Sequence, residues 1–274
     1  MIIANCIIIS FVAFAIGGTA YSIYRQTITS RLSMLNLKDM KQIGNSIDYL
    51  QKDITELASF IGSDKVVQKV ITYEPEELNK NMSDMNYVRY LLNNLLISKD
   101  YVSFISLYAD NGFTHYTASD KSSIIPKFDD IKKTGLYQRA YSLKGYPIWA
   151  YIPKTNTDFI LNNAGDKITM FKTLFNLNDY SEKGLFTISI NVGKVREIYK
   201  SLLEIKDSVV LLLNEENDVF LYDTSMASDF HPDDVIGHVP KSAYTDPEGS
   251  EIYNDGGKQF LLSFVTLKGI DWKI

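Results

Sequence analysis

Six aromatic residues fall within one short stretch of the chain, Tyr137, Tyr141, Tyr146, Trp149, Tyr151 and Phe159, with Arg139, Lys144 and Asp158 among them. Rings that bury their faces while hydroxyls, an indole N–H and nearby charges stay available suit a sugar, an amine or a peptide. Flat apolar contact supplies affinity and the polar edges fix orientation. The same rings could equally fill a sheet core. The spacing marks a candidate binding region and no reaction.

Other chemistry lacks its residues. His115, His231 and His238 have no metal-ligand spacing, and His231 precedes Pro232 in an Asp-rich stretch. Asp129-Asp130 and Asp233-Asp234 are sequence neighbours that read as solvated turns, a poor setting for a general acid and base. No nucleophile elbow, phosphate-cradling loop or dinucleotide fingerprint occurs. Cys6 is the single cysteine, so neither an intrachain disulfide nor a cysteine metal site can form. No cofactor and no metal are expected. A net charge of −5, with Lys and Arg scattered, excludes the basic surface that nucleic acid requires.

The elements that must position these residues follow from periodicity. Met40, Ile43, Ile47, Leu50, Ile54, Leu57 and Ile61 alternate steps of three and four, the stripe of a long amphipathic helix. Ile28, Leu32 and Leu35 carry the pattern out of phase, so the stripe slips before Met40. Such a stripe packs on a sheet of the same chain or along a dimer seam. A second helix is expected from an N-cap at Ser83 or Asp84 through Leu96, with Val88, Leu91, Leu92 and Leu95 inward.

Residues 101–109 read as a strand, Asp110-Asn111-Gly112 as a hairpin turn, and 113–117 as the returning strand. A short helix over 135–143 and strands over 147–152, 167–175 and 184–191 complete one mostly antiparallel sheet. A helix over 192–203 connects it to a smaller set of strands over 208–213, 219–222 and 259–266, with Trp272 beyond.

Ahead of all this, residues 2–24 contain no Asp, Glu, Lys, Arg or His. A helix of that length reaches about 34 Å and can cross a hydrocarbon core of roughly 30 Å. Tyr21 and Tyr24 stand where interfacial rings are favoured. A cleaved signal peptide, ending near Gly18-Thr19-Ala20, is the rival reading. Arg25 and Arg31 follow the segment instead of preceding it, so charge does not set its orientation.

The strings Ile105 to Gly112, Tyr146-Pro147-Ile148-Trp149, Gly184 to Ile190, Val195 to Ile198 and Gly269-Ile270-Asp271-Trp272, in this order and spacing, resemble the double-Cache family of bacterial receptor ectodomains. The likeness covers nearly the whole chain and is greatest to the sensor histidine kinases of Gram-positive bacteria. It implies an α+β fold in which a long N-terminal helix packs on two antiparallel-sheet, PAS-like lobes behind one transmembrane helix. The expected division is 1–24 for the membrane helix, 25–100 for the long helix and the second helix, 101–203 for the membrane-distal lobe with its linking helix, and 204–274 for the membrane-proximal lobe.

The resemblance implies an extracytoplasmic sensing domain on the cell membrane, residues 25–274 outside, probing a small solute (sugar, amine, peptide or organic acid) and relaying its presence through the N-terminal helix, in a homodimer. No enzyme activity is expected in these residues; a kinase output would lie outside them. A chemoreceptor, a membrane-bound transcription regulator or an anchored or secreted solute-binding protein are the alternatives. The implied ligand residues are Tyr137, Arg139, Tyr141, Trp149, Tyr151 and Ser189.

A subset of the family binds amino acids through an Arg two residues before the matching Trp, a Tyr after it and an Asp in the strand before the linking helix. Here those positions hold Pro147, Ala150 (with Tyr151 one further) and Ser189. Without the cation for a carboxylate and the anion for an ammonium, the charge-assisted contacts are lost, and free α-amino acids are expected to bind poorly.

Overall fold

A computed structural model describes residues 2–119, 126–156, 165–225, 239–255 and 258–274, without the side chains of 2–10, 255 and 258. Phe159, Asp158, His231, His238 and Asp233-Asp234, singled out from the sequence, lie outside the described residues. The chain divides into two units: 1–45, 209–267 and 271–274 form the first, and 46–208 with 268–270 the second.

Helix α1 (Ile2–Ser63) is unbroken and contributes to both units. Its stripe becomes buried where the phase slip ends: Met40, Ile43, Ile47, Ile54 and Ile61 are all buried, while Ile28, Leu32 and Leu35 are exposed. In the first unit the stripe meets strand residues, since a Cβ on Gly44 would stand 2.9 Å from the Val265 side chain. In the second, Gly62 lies against Leu174, and Lys172 Nζ donates to Ser59 Oγ at 3.0 Å. The chain thus spends this apolar stripe on its own strands. Among the described residues no helix is long and apolar enough to cross a membrane. The expected span over 1–24 includes residues whose side chains are outside that set.

The second unit holds a sheet of five antiparallel strands, β1 (Val102–Ala109), β2 (Thr114–Ala118), β3 (Ile148–Ile152), β4 (Lys167–Phe175) and β5 (Glu182–Asn191), in the order β2-β1-β5-β4-β3. After α1 come α2 (Lys65–Thr72), the one-turn α3 (Pro75–Leu78) and α4 (Met82–Ser98), then α5 (Phe128–Ile131) and α6 (Gly135–Ser142) between strands, and α7 (Val192–Tyr199), which tightens into a 3-10 turn at Lys200–Glu204. α2 has no counterpart in the sequence reading. It is started by Asp64, whose Oδ1 accepts from Val66 N and Val67 N.

The expected cap of α4 is corrected. The helix starts one residue before Ser83, after Asn81, and Asp84 instead accepts a 2.6 Å hydrogen bond from the Tyr73 hydroxyl. That bond, chiefly, pushes the Tyr73 pKa up to about 12.

Alternation along the strands splits the sheet into two faces. Ile105, Leu107, Met170, Leu174, Phe186 and Ile188 point one way, toward α1 and α4. His115 shares this face opposite Leu107; burial, and next the Arg89 charge on α4, lower its pKa. The other face carries Phe104, Tyr108, Phe171, Leu185, Ile148 and Ile152, which form one core with Ile131, Tyr137 and Ala140 of α5 and α6.

The first unit contains two hairpins, β6 (Val209–Leu213) with β7 (Val219–Thr224) and β8 (Glu248–Asp255) with β9 (Lys258–Val265). β8 is missed in the sequence because most of its residues are half-buried or exposed, so it shows no apolar alternation. Residues 272–274 join the hairpins. Lys273 exchanges backbone hydrogen bonds of 2.9 and 3.0 Å with Leu213, and Ile274 exchanges bonds of 3.0 and 3.1 Å with Val265. The Trp272 indole donates to Glu215 Oε2 at 3.0 Å. The buried Lys273 Nζ donates to Ala243 O and Asp246 O, the carbonyl end of the one-turn helix Ser242–Thr245, where a cation is favoured.

Candidate ligand-binding face

The face of the sheet turned away from α1 changes character along its length. Near α5 and α6 it is aromatic: Tyr108 stacks on Phe128 at 5.4 Å between centroids, Phe128 meets Tyr137 edge-on at 5.8 Å, and Tyr141 stacks on Tyr137 at 6.3 Å. Further along it is built of short polar side chains. Across the strands run the register partners Ala118, Phe104, Ser189, Thr169 and Ala150, and beside them Tyr116, Ser106, Thr187 and Phe171.

Four of these hydroxyls pair off. Ser106 Oγ and Thr187 Oγ1 lie 2.7 Å apart, and Thr169 Oγ1 and Ser189 Oγ 2.9 Å apart, all four residues buried. A buried hydroxyl is costly unless bonded, and each pair satisfies one of its two O–H donors. The Tyr108 hydroxyl is buried with no hydrogen-bond partner among the described residues, and burial raises its pKa. Buried hydroxyls thus line this part of the face, where the opposite face buries Ile, Met and Trp.

The residues singled out from the sequence do not converge on one place. Tyr137 and Ser189 lie on this face. The Tyr137 hydroxyl donates to Glu182 Oε1 at 2.8 Å, which favours the carboxylate, but burial, helped by the Asp110 charge, outweighs that bond and holds the Glu182 carboxyl above its ordinary pKa. Tyr141 and Arg139 are exposed on α6. Trp149 and Tyr151 point the other way: Trp149 is in register with Met170 and is buried on the face that meets α1, and Tyr151 is in register with Ile168. Burial first, and then a hydrogen bond with Asp166, push the Tyr151 pKa up to about 12. A single ligand cannot touch Trp149 and Ser189 across a strand of sheet. In β3 the positions that share the face of Ser189 are Ile148, Ala150 and Ile152.

Ser106, Tyr108, Thr169, Thr187 and Glu182 were not read as site residues. The signal was present: in strands buried on both faces, Thr187 and Ser189 in β5 stand two residues apart, and Thr169 and Thr173 in β4 four apart, all on one face among Ile, Phe and Met. Polar alternation inside such a strand marks a buried polar face.

No protein-family model matches the chain, and no curated protein matches it in sequence. Solved structures do match. The ligand-binding domain of the Campylobacter jejuni chemoreceptor Tlp3, in complex with L-valine, superposes with a TM-score of 0.60 at 12% identity over 91% of this chain and 94% of that one. The extracellular domain of the putative histidine kinase vpHK1S-Z8 gives 0.60 at 7% identity, over 89% and 93%. The ligand-binding domain of the Pseudomonas fluorescens chemoreceptor CtaA, in complex with L-isoleucine, gives 0.59 at 14% identity, over 91% and 92%. The chain shares the fold of these ligand-binding and extracellular domains. Its mixed helix and antiparallel-sheet architecture behind a long N-terminal helix is shared with these domains.

Proposed function

We propose that the chain is the extracytoplasmic ligand-sensing domain of a membrane signalling receptor, binding a small solute on the hydroxyl-lined face of its five-stranded sheet. The observation that carries this reading is the buried array of Ser106, Thr187, Thr169 and Ser189 beside the unpartnered Tyr108 hydroxyl, in a fold shared with ligand-binding domains of chemoreceptors and kinases. On this reading the five-stranded unit is the membrane-distal lobe of a double-Cache domain, the two-hairpin unit the proximal lobe, and residues 2–24 the membrane anchor. The output module is a histidine kinase like those of Gram-positive bacteria, with a chemoreceptor as the second reading, since both kinds occur among the similar structures.

A ligand biases only states that it binds unequally. Helix α1 is the element suited to carry that bias, because it runs without a break from one unit into the other. A homodimer seam along the stripe from Met40 to Ile61 is disfavoured, since Met40, Ile43, Ile47, Ile54 and Ile61 are buried and only Leu50 and Leu57 are half-buried.

The test is a thermal-shift screen of sugars, amines, peptides and organic acids against the whole chain, repeated with Thr187→Val. Ligands that stabilise the native chain and fail on the variant support the face as the site; ligands that act equally on both place the site elsewhere. Cysteine crosslinks along α1 that do not respond to a confirmed ligand would remove α1 as the relay.

A further inference from the structure

The chemistry of the hydroxyl-lined face says what class of solute it takes. Each hydroxyl is one donor and two acceptor lone pairs. The Ser106–Thr187 and Thr169–Ser189 pairs each commit one O–H internally and keep one O–H for a further partner. The hydroxyl of Tyr108, a residue in register with Leu185 on the same face, is buried without a hydrogen-bond partner among the described residues. These groups donate and accept equally and carry no charge.

A ligand bearing an ammonium or a carboxylate into such a place would be desolvated against dipoles alone, and a buried charge needs a counter-charge. Over 102–109, 167–175 and 184–191 there is no Asp or Glu, and Glu182, at the start of β5, is engaged by the Tyr137 hydroxyl at 2.8 Å. Lys167, two residues before Thr169 on β4, is buried and already engaged in an interaction of its own. The aromatic groups beside the hydroxyls, Tyr116 stacked on Phe104 at 6.1 Å and Phe128 on Tyr108, offer the flat faces on which C–H surfaces of a ring pack.

We infer that the ligand is an uncharged polyhydroxylated solute, a sugar or polyol, held by Ser106, Thr187, Thr169, Ser189 and Tyr108. This rests on the reading of that face as the ligand site and adds the chemical class.

The experiment is calorimetric titration of the whole chain with D-glucose, D-ribose, myo-inositol and glycerol, and in parallel with L-isoleucine, L-alanine and succinate, on the native chain and on Tyr108→Phe and Thr187→Val. Tyr108→Phe is the decisive variant, because it removes a buried hydroxyl that has no hydrogen-bond partner within bonding geometry among the described residues. It should fold at least as stably as the native protein and weaken polyol binding about tenfold, the loss of one hydrogen bond to the ligand. Saturable polyol binding weakened by both variants supports the inference. Binding of L-isoleucine, L-alanine or succinate, weakened by the same variants, overturns the chemical class and leaves the site. Polyol binding unchanged in both variants overturns the site, and binding of none of the seven probes overturns the class.

Discussion

Asp53, on α1, accepts a hydrogen bond from the hydroxyl of Tyr101 at the head of β1, and Lys99 at the end of α4 closes the group with a salt bridge to the same carboxylate at 2.9 Å. Burial alone would raise the Asp53 pKa, but the Tyr101 and Lys99 bonds outweigh it and hold the carboxyl below its ordinary value. A carboxylate with a lowered folded pKa contributes stability above its unfolded pKa and loses it as pH falls through the folded one. Asp53→Asn should therefore cost about 2 kcal/mol near neutrality, and the gap between the two proteins should close in strong acid. Denaturant unfolding across pH checks this. A cost that does not change with pH would mean that packing, not charge, makes the contribution.

Asn111 sits in the turn between β1 and β2 and does more than turn. Its Nδ2 donates to Val70 O at 2.8 Å and Tyr73 O at 2.9 Å, capping the far end of α2, while its Oδ1 accepts from Phe113 N. Asn111→Ala removes three bonds, two of them to carbonyls of a helix end that has few other partners. A loss of about 2–3 kcal/mol is expected, with faster hydrogen exchange in α2 than in β5. Uniform loss of protection would show that α2 is not separately held.

Gly184 on β5 faces the backbone of β1 so closely that a Cβ would lie 2.0 Å from Tyr108 O. No rotamer relieves a clash with backbone. Gly184→Ala should separate β1 from β5 at that point and cost about 3 kcal/mol. Because Tyr108 lies at the same point, ligand affinity should fall with stability. A variant with native melting temperature would contradict the strand spacing.

Trp149 and Thr187 separate core from site. Trp149 is buried on the face that meets α1, so Trp149→Ala should cost about 4 kcal/mol in stability, whereas Trp149→Phe should leave ligand affinity unchanged once the protein is folded. Thr187→Val, nearly equal in volume, should lose ligand affinity and, by leaving the buried Ser106 hydroxyl without its partner, cost only about 1–2 kcal/mol in stability. Affinity lost in Trp149→Phe with stability intact would return Trp149 to the site.

What could be read from the sequence depended on whether an element shows its environment through periodicity. The α1 stripe, the Asp110-Asn111-Gly112 turn and the strands from Lys167 to Asn191 do, because each buries a regular subset of residues. α2 is two turns long and owes its start to Asp64 and its end to Asn111, 39 residues beyond Thr72. β8 is too exposed to alternate. The site was half legible for a related reason. Aromatic density drew attention to Trp149 and Tyr151, yet a strand alternates its faces, and sequence alone does not say which face meets a helix. Ser189 was reached by analogy, while its partner Thr169, 20 residues away in sequence, becomes its neighbour only through strand register.

The short bridge of residues 272–274 between the two hairpins bears on the order in which the protein is made. The five-stranded sheet is complete once residue 191 has emerged from the ribosome. The unit that includes residues 1–45 must wait for the residues from 192 to 274, because its hairpins are joined through Lys273 and Ile274. Domains fold as they emerge, so the sensing face can form while the segment that starts the chain still waits for its partners, and Met40 and Ile43 stay uncovered until synthesis has almost reached Ile274.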